Sequence, residues 1–120
     1  MKVTGLGADI IEVKRVETMA RRQAAALGRI FTKKELEYCN AGGKAKYQRL
    51  AARFAAKEAV WKALGIAGLK FTDIEVTKAS DGRPGIICHD ARAKKISFML
   101  SLSHTADYAI ANVIAIKCKK

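Results

Sequence analysis

Proline, acidic residues and aromatics are all scarce in this sequence, and each shortage narrows what the chain can be. One proline among 120 residues, half of them hydrophobic, excludes a proline-rich or disordered chain and fits a folded globular one. That length suffices for one hydrophobic core and is short for two, so a single domain over residues 1–120 is expected. No apolar run approaches the roughly 20 residues that span a bilayer. The opening MKVTGLGADIIEV lacks the basic, apolar and small-residue series of a secretion signal. A cytoplasmic protein with no membrane partner is expected. Cys39, Cys88 and Cys118 are odd in number and widely spaced, which argues against a disulfide framework and against a zinc site and predicts reduced thiols. The sequence has no GxxxxGK[ST], HExxH or CxxC, and GLGAD lacks the third glycine and following helix of a phosphate-binding glycine loop.

Acidic residues number 11 against 23 lysines and arginines, a formal charge of +12. Such a charge biases the chain toward acidic partners, namely nucleic acid, an acidic protein or a polyphosphate ligand. Charge alone does not choose among them.

What is present centres on residues 49–64, RLAARFAAKEAVWKAL. Leu50, Ala51, Phe54, Ala55, Trp61 and Leu64 recur at steps of three and four, which predicts an amphipathic α-helix. Glu58 falls near the middle of that stripe. An ionised carboxylate there needs a cation or a metal to offset its desolvation. It is either a chemical group or one half of an i,i+4 ion pair with Lys62.

Before this helix, residues 2–13 read as a strand rich in β-branched residues, with Gly5 and Gly7 permitting close backbone approach. Asp9 is unusual in such a strand, and either chemistry or a local hydrogen bond to backbone accounts for it. Residues 14–27 are strong helix formers, with Gly28 placed for a left-handed cap and with Arg15, Arg21 and Arg22 making a basic face that only Glu17 balances. Thr32 and Glu35 have capping-box spacing and open a short helix to about Tyr38. After the central helix come a loop over 65–68, a strand over 71–76, a turn over 80–83, a returning strand over 84–88, a helical turn capped by Asp90 over 91–95, and strands over 98–103 and 108–116. This order predicts an α+β fold, mainly antiparallel, with a long central helix. Ser103 and His104 are adjacent on a strand end, where neighbours point apart, so a hydrolase dyad is not expected.

Three segments, GLGADIIEVKRV at 5–16, RFAAKEAVWKALG at 53–65 and LSHTADYAIANVIA at 102–115, together resemble the holo-acyl-carrier-protein synthases, the short bacterial type of 4′-phosphopantetheinyl transferase. The resemblance implies transfer of the phosphopantetheine arm of coenzyme A to a serine of an acidic acyl carrier protein in fatty acid biosynthesis, with magnesium, in a homotrimer whose sites lie between subunits. It assigns Asp9 and Glu58 to the metal and Lys62 to the scissile phosphate, these three being the catalytic set. Arg53, Lys57, Lys62, Gly65, His104 and Thr105 fall around coenzyme A, and Arg15, with Arg21 and Arg22 on the same helix, toward the carrier protein. The general base is Glu58 or a water on the metal. This chain departs from the family in reading Ile66-Ala67-Gly68 after Gly65, where Thr-Gly is usual, and in a shorter stretch between Pro84 and Ser103. The competing reading is a nucleic-acid-binding domain, supported by the charge and opposed by the scarcity of aromatics and by Glu58.

Overall fold

The computed structural model describes residues 1–118. Strand β1 (Lys2–Glu12) pairs antiparallel with β5 (Tyr108–Lys117), which pairs antiparallel with β4 (Ile96–His104), giving a three-stranded sheet in the order β1-β5-β4. A separate antiparallel hairpin joins β2 (Ile74–Lys78) to β3 (Pro84–Cys88). Four helices fill the first half: α1 (Val13–Arg22), α2 (Ala24–Ile30), α3 (Lys33–Asn40) and α4 (Lys46–Leu64). The α+β class, the antiparallel pairing and the long central helix are borne out. No helix among the described residues is long and apolar enough to cross a membrane.

Helix α4 lies on the inner face of the three-stranded sheet, and small residues on both sides bring the backbones together. Ala109, Ala111, Val113 and Ala115 of β5 are fully buried against it, as are Ala51, Ala55 and Ala59 of the helix. On β1 the facing positions are Gly5 and Gly7. A Cβ on Gly7 would stand 1.8 Å from the Ala59 carbonyl oxygen, and one on Gly5 1.8 Å from that of Ala63. These glycines are therefore needed for lack of a side chain, as a close backbone approach requires.

The amphipathic expectation for α4 is corrected. The helix is buried nearly all round, because the sheet covers one side while α1, α3 and β2 pack on others. Arg53 and Lys57, off the expected stripe, are buried, whereas Trp61, on it, is exposed. A periodicity argument presumes one wet face, and this helix has little of one.

Other boundaries move for local reasons. The helix expected over 14–27 is two helices broken at Gln23, whose φ of −134° and ψ of 60° leave the helical region. The break turns α2 against the turn at Phe71–Asp73. Gly28 lies inside α2, and the C-cap is Phe31, in extended conformation and buried. Phe71–Asp73 forms a single 3₁₀ turn, so β2 starts three residues later than the alternation predicts. The capping box at Thr32 and Glu35 forms, as does the Asp90 cap over Ala91–Ala93.

Among the described residues, no element covers the outer face of the β1-β5-β4 sheet. Leu6, Ile10, Met99, Tyr108 and Ile110 are all exposed there, and the register sets Ile10 directly opposite Ile110, and both Leu6 and Met99 opposite Ile114.

Gly7→Ala is expected to lower stability by roughly 3 kcal/mol, the upper part of the range for overpacking, because the clash is with backbone that cannot rotate away. Urea denaturation measures it, and an unchanged midpoint would mean that helix and strand separate freely.

Candidate active site

The tight packing of α4 on β1 delivers Asp9 to the helix. Asp9 pairs with Ala111 in the ladder, so its side chain shares the inner face with Gly7 and Ile11. Lys62 reaches it from α4, its Nζ donating to the Ala8 carbonyl oxygen at 3.0 Å and standing 3.4 Å from Asp9 Oδ1. Glu58 sits one turn before Lys62, yet Lys62 bonds to β1 and not to it. Among the described residues, the Glu58 carboxylate has neither an ion-pair nor a hydrogen-bond partner. Burial pushes its pKa up and the Asp9 charge adds to that, with the Lys62 and Arg15 charges opposing. The simple i,i+4 ion pair is thus not what Glu58 makes. Two neighbouring carboxylates stand beside a lysine that bonds to Asp9 alone of the two, and Glu58 has no direct partner among the described residues.

Lys62 borders two shallow pockets. One, of about 320 Å³, is lined by Ala8, Asp9, Ile10, Lys62 and Ile110. The other, of about 260 Å³, is lined by Trp61, Lys62, Gly65, Ile66 and Ala67. Gly65 takes φ of 62°, the left-handed cap that ends α4. Ile66, Ala67 and Gly68 continue the loop, whose second left-handed residue is Gly68 at φ 75°.

A second cluster forms a larger cleft of about 580 Å³, with Arg53 and His104 in its lining. Arg53 is only 7% exposed, and its Nε has no hydrogen-bond partner, which costs free energy unless something satisfies it. Its guanidinium lies 4.0 Å from the centroid of the Tyr38 ring, and that of Arg49 lies 4.2 Å away while Nη1 donates to the Tyr38 carbonyl at 2.9 Å. Lys78 Nζ approaches the same ring at 5.2 Å. Cations thus crowd one aromatic ring, and no acid is among the described residues lining this cleft, although Glu35 and Glu75 line a neighbouring pocket that shares Tyr38, Arg53 and Lys78. Sequence reasoning missed Tyr38, Arg49 and Lys78. Arg49 was legible as the residue one turn before Arg53, but Lys78 arrives through the β2-β3 hairpin, which no local spacing reveals.

The two clusters do not meet within one chain. At about 100° per residue, Arg53 and Glu58 point roughly 140° apart on α4, and Arg53 and Lys62 roughly 180° apart. Asp9, Glu58 and Lys62 therefore share one side of the helix, and Arg53 and His104 another. Thr105 is occupied as a turn holder, its Oγ1 accepting from the backbone N–H groups of Asp107 and Tyr108.

Lys57 must be corrected. Expected around coenzyme A, it is fully buried, with Nζ 2.6 Å from Glu35 Oε1 and donating to the carbonyl oxygens of Phe71 and Ile74. Burial lowers its pKa and the Glu35 charge works against that. All three of its donors are spent inside the core, so it has none for a phosphate. Of the helix α1 cations, Arg15 is exposed and close enough for its charge to act on Glu58. Arg21 is paired with Glu17 at 3.0 Å and lies 5.4 Å from the Tyr47 ring, and Arg22 is exposed.

The model of the 4′-phosphopantetheinyl transferase superfamily matches residues 5–113. The chain belongs to that superfamily. Within it the similarity is to the holo-acyl-carrier-protein synthases. The holo-[acyl-carrier-protein] synthase of Bacillus subtilis (strain 168) is 42% identical over 116 residues, covering 93% of this chain and 94% of that one. A crystal structure of a holo-(acyl-carrier-protein) synthase from Bacillus anthracis, in complex with CoA (3′,5′-ADP), matches with a TM-score of 0.84 and 32% identity over 99% of this chain and 100% of its own. The Helicobacter pylori holo-[acyl-carrier-protein] synthase in complex with coenzyme A matches with a TM-score of 0.81 and 33% identity, covering 92% and 99%. The resemblance read from three sequence segments is borne out, and the chain is a member of the holo-acyl-carrier-protein synthase family.

Proposed function

We propose that this protein transfers the 4′-phosphopantetheine arm of coenzyme A to a serine of an apo acyl carrier protein, releasing adenosine 3′,5′-bisphosphate, in the cytoplasm. The observation that carries this reading is the pair of neighbouring carboxylates, Asp9 and a Glu58 with no direct partner among the described residues, beside the Lys62 ammonium. Magnesium fits that donor set. It takes one or two protein carboxylates and fills its remaining positions with water and substrate phosphate. The described residues contain no cluster of three or more metal-binding side chains, so an all-protein cage is not on offer. Asp9 and Glu58 would hold the ion, which when bound supplies charge neutralisation for the pyrophosphate.

The chain's own groups then do three things. Lys62, fixed between the Ala8 carbonyl and Asp9, presents its ammonium to the phosphate whose P–O bond breaks, where negative charge accumulates as adenosine 3′,5′-bisphosphate leaves. The serine oxygen forms the new bond to the pantetheine-side phosphorus, and its proton passes to Glu58 or to water beside it. Arg53, with its unpartnered Nε, and His104 form an anion-binding cleft suited to a further phosphate of coenzyme A. A nucleic-acid-binding domain shares the +12 charge but has no use for Glu58 beside Asp9.

The reading includes a homotrimer, the number three coming from the family resemblance. Two features favour shared sites: the uncovered apolar sheet face around Ile10 and Ile110, and the placement of the two clusters on opposite sides of α4. One coenzyme A would then contact Asp9, Glu58 and Lys62 of one subunit and the Arg53 cleft of another. The exposed α1 face with Arg15, Arg21 and Arg22 would dock the acidic carrier protein by charge steering, which salt weakens.

Asp9→Asn and Glu58→Gln keep shape but remove the charge that a hard cation requires. Each is expected to reduce magnesium-dependent transfer by at least about a hundredfold while leaving the protein folded. Intact mass of apo carrier protein incubated with coenzyme A measures it, and near-normal turnover with unchanged metal dependence in either variant would overturn the assignment. Subunits carrying Glu58→Gln, co-expressed with subunits carrying Arg53→Gln, should recover activity that neither homogeneous assembly has; no recovery in mixed assemblies would refute the shared site. Arg15→Glu should raise KM for the carrier protein about tenfold with little change in KM for coenzyme A. Equal effects on both would remove the docking role.

A further inference from the structure

Tyr38 is the one ring among the described residues with three cations around it. The guanidinium carbons of Arg53 and Arg49 lie 4.0 and 4.2 Å from its centroid, and the Lys78 ammonium lies 5.2 Å away. Tyr47 has two such neighbours and Phe31 one. Like charges held this close repel, and Arg53 is buried, where salt and water screen the repulsion least. Neighbouring acids do not relieve it. Glu35 is engaged by Lys57 and by the Thr32 and Val76 N–H groups, and Glu75 by the Thr32 hydroxyl and His89. Among the described residues, none of the three cations forms an ion pair. What they have in common is the ring, whose quadrupole draws positive charge to its face and against whose plane a guanidinium stacks.

Three elements meet at Tyr38. It sits one turn after Glu35 on the same side of α3, and Glu35 ties α3 to α4 through Lys57 and to β2 through the Val76 N–H. The two arginines come from α4, one turn apart, and Lys78 from the end of β2. Arg49 is committed to this corner. Its Nη1 donates to the Tyr38 carbonyl at 2.9 Å, and its stem runs so close to Gly42 that a Cβ there would stand 2.8 Å from Cδ. Arg53 is not so committed, since its Nε is unpartnered. Ring and cations all line the 580 Å³ cleft that His104 completes. An anion entering it meets positive charge already gathered, so the cost of bringing like charges together falls on folding and not on binding.

We infer that Tyr38 is a positioning residue for the reaction: its ring gathers Arg49, Arg53 and Lys78 into a preformed site for the phosphate on the ribose of coenzyme A. It acts through those cations and not on the reacting atoms. The inference rests on the coenzyme A reading above and on the placement of a further phosphate in this cleft. That phosphate is remote from the P–O bond that breaks, so loss of the ring weakens binding and leaves the chemical step alone.

3′-Dephospho-coenzyme A, which lacks only that phosphate, isolates the effect. Transfer to apo carrier protein, at saturating carrier and magnesium, is measured with coenzyme A and with its dephospho form for the wild-type protein, Tyr38→Leu and Tyr38→Phe. Tyr38→Leu should raise KM for coenzyme A about tenfold, while its kcat, and its KM for the dephospho form, should stay within about twofold of wild type. Tyr38→Phe keeps the ring and loses only the phenol, and should remain near wild type. Partial unfolding of Tyr38→Leu would lower kcat for both substrates but not the ratio of their KM values, which is the quantity read. An unchanged ratio in Tyr38→Leu would overturn the inference while leaving the transferase reading intact. So would a Tyr38→Phe as impaired as Tyr38→Leu, because the role would then belong to the hydroxyl. Equal KM values for the two substrates in the wild-type protein would remove the phosphate from the cleft and the inference with it. No transfer from coenzyme A by the wild-type protein would overturn both the inference and the transferase reading.

Discussion

The contact on which the structure depends is the backbone approach of α4 to β1 at Gly5 and Gly7. Carbonyl oxygens of Ala59 and Ala63 occupy the space where side chains of β1 would stand. Close packing of this kind gains dispersion and excludes water, and it tolerates no added atom. Its consequence is chemical. Because the helix and strand lie so close, Lys62 bridges directly to Ala8 and Asp9, and Glu58 is brought within electrostatic reach of Asp9. A wider spacing would leave each of these groups to solvent.

The opposite side of α4 is organised by a buried ion pair. Glu35 closes the capping box of α3, accepts from the Val76 N–H of β2, and meets Lys57, whose remaining donors hold the carbonyls of Phe71 and Ile74. One carboxylate and one ammonium thus join α3, α4, β2 and the turn before β2. A buried pair repays its desolvation only when the remaining hydrogen-bonding capacity is satisfied, as it is here. The pair also explains why two lysines five positions apart on one helix have unlike roles. Lys57 faces inward to a buried acid and Lys62 outward to the partly exposed Asp9.

Helix α4 therefore separates two kinds of charge. Asp9 and Glu58 stand on the β1 side with Lys62, whereas Arg49, Arg53 and Lys78 gather around the Tyr38 ring in a cleft whose described lining residues include no acid. Neither cluster is satisfied by the other, because the helix stands between them. That division gives the proposed oligomer a physical motive, since a polyphosphate with a bound divalent cation would complement both clusters if a second subunit brought them together.

Much of this was legible in the linear order of residues. The capping box at Thr32 and Glu35, the β2-β3 hairpin, the last two strands and the central helix all rest on local spacing, and local spacing decides backbone conformation. The suspicion attached to Asp9 and Glu58 also came from the sequence, because a carboxylate in an apolar strand or stripe violates its surroundings wherever the chain folds. What local spacing could not decide was which side of α4 would remain wet. A helix enclosed by a sheet and three other elements leaves its periodicity without meaning for exposure, so Lys57 went inside and Trp61 outside against expectation. Likewise Gly28 could not be read as interior to α2, because the break at Gln23 answers to packing against the Phe71–Asp73 turn. The amino acids by themselves determined which chemical groups the protein possesses and the elements that carry them. Which carboxylate meets which lysine was decided by tertiary packing alone, because a pairing between groups on separate elements, Glu35 with Lys57 and Asp9 with Lys62, depends on the distance between backbones, and no stretch of sequence contains that distance.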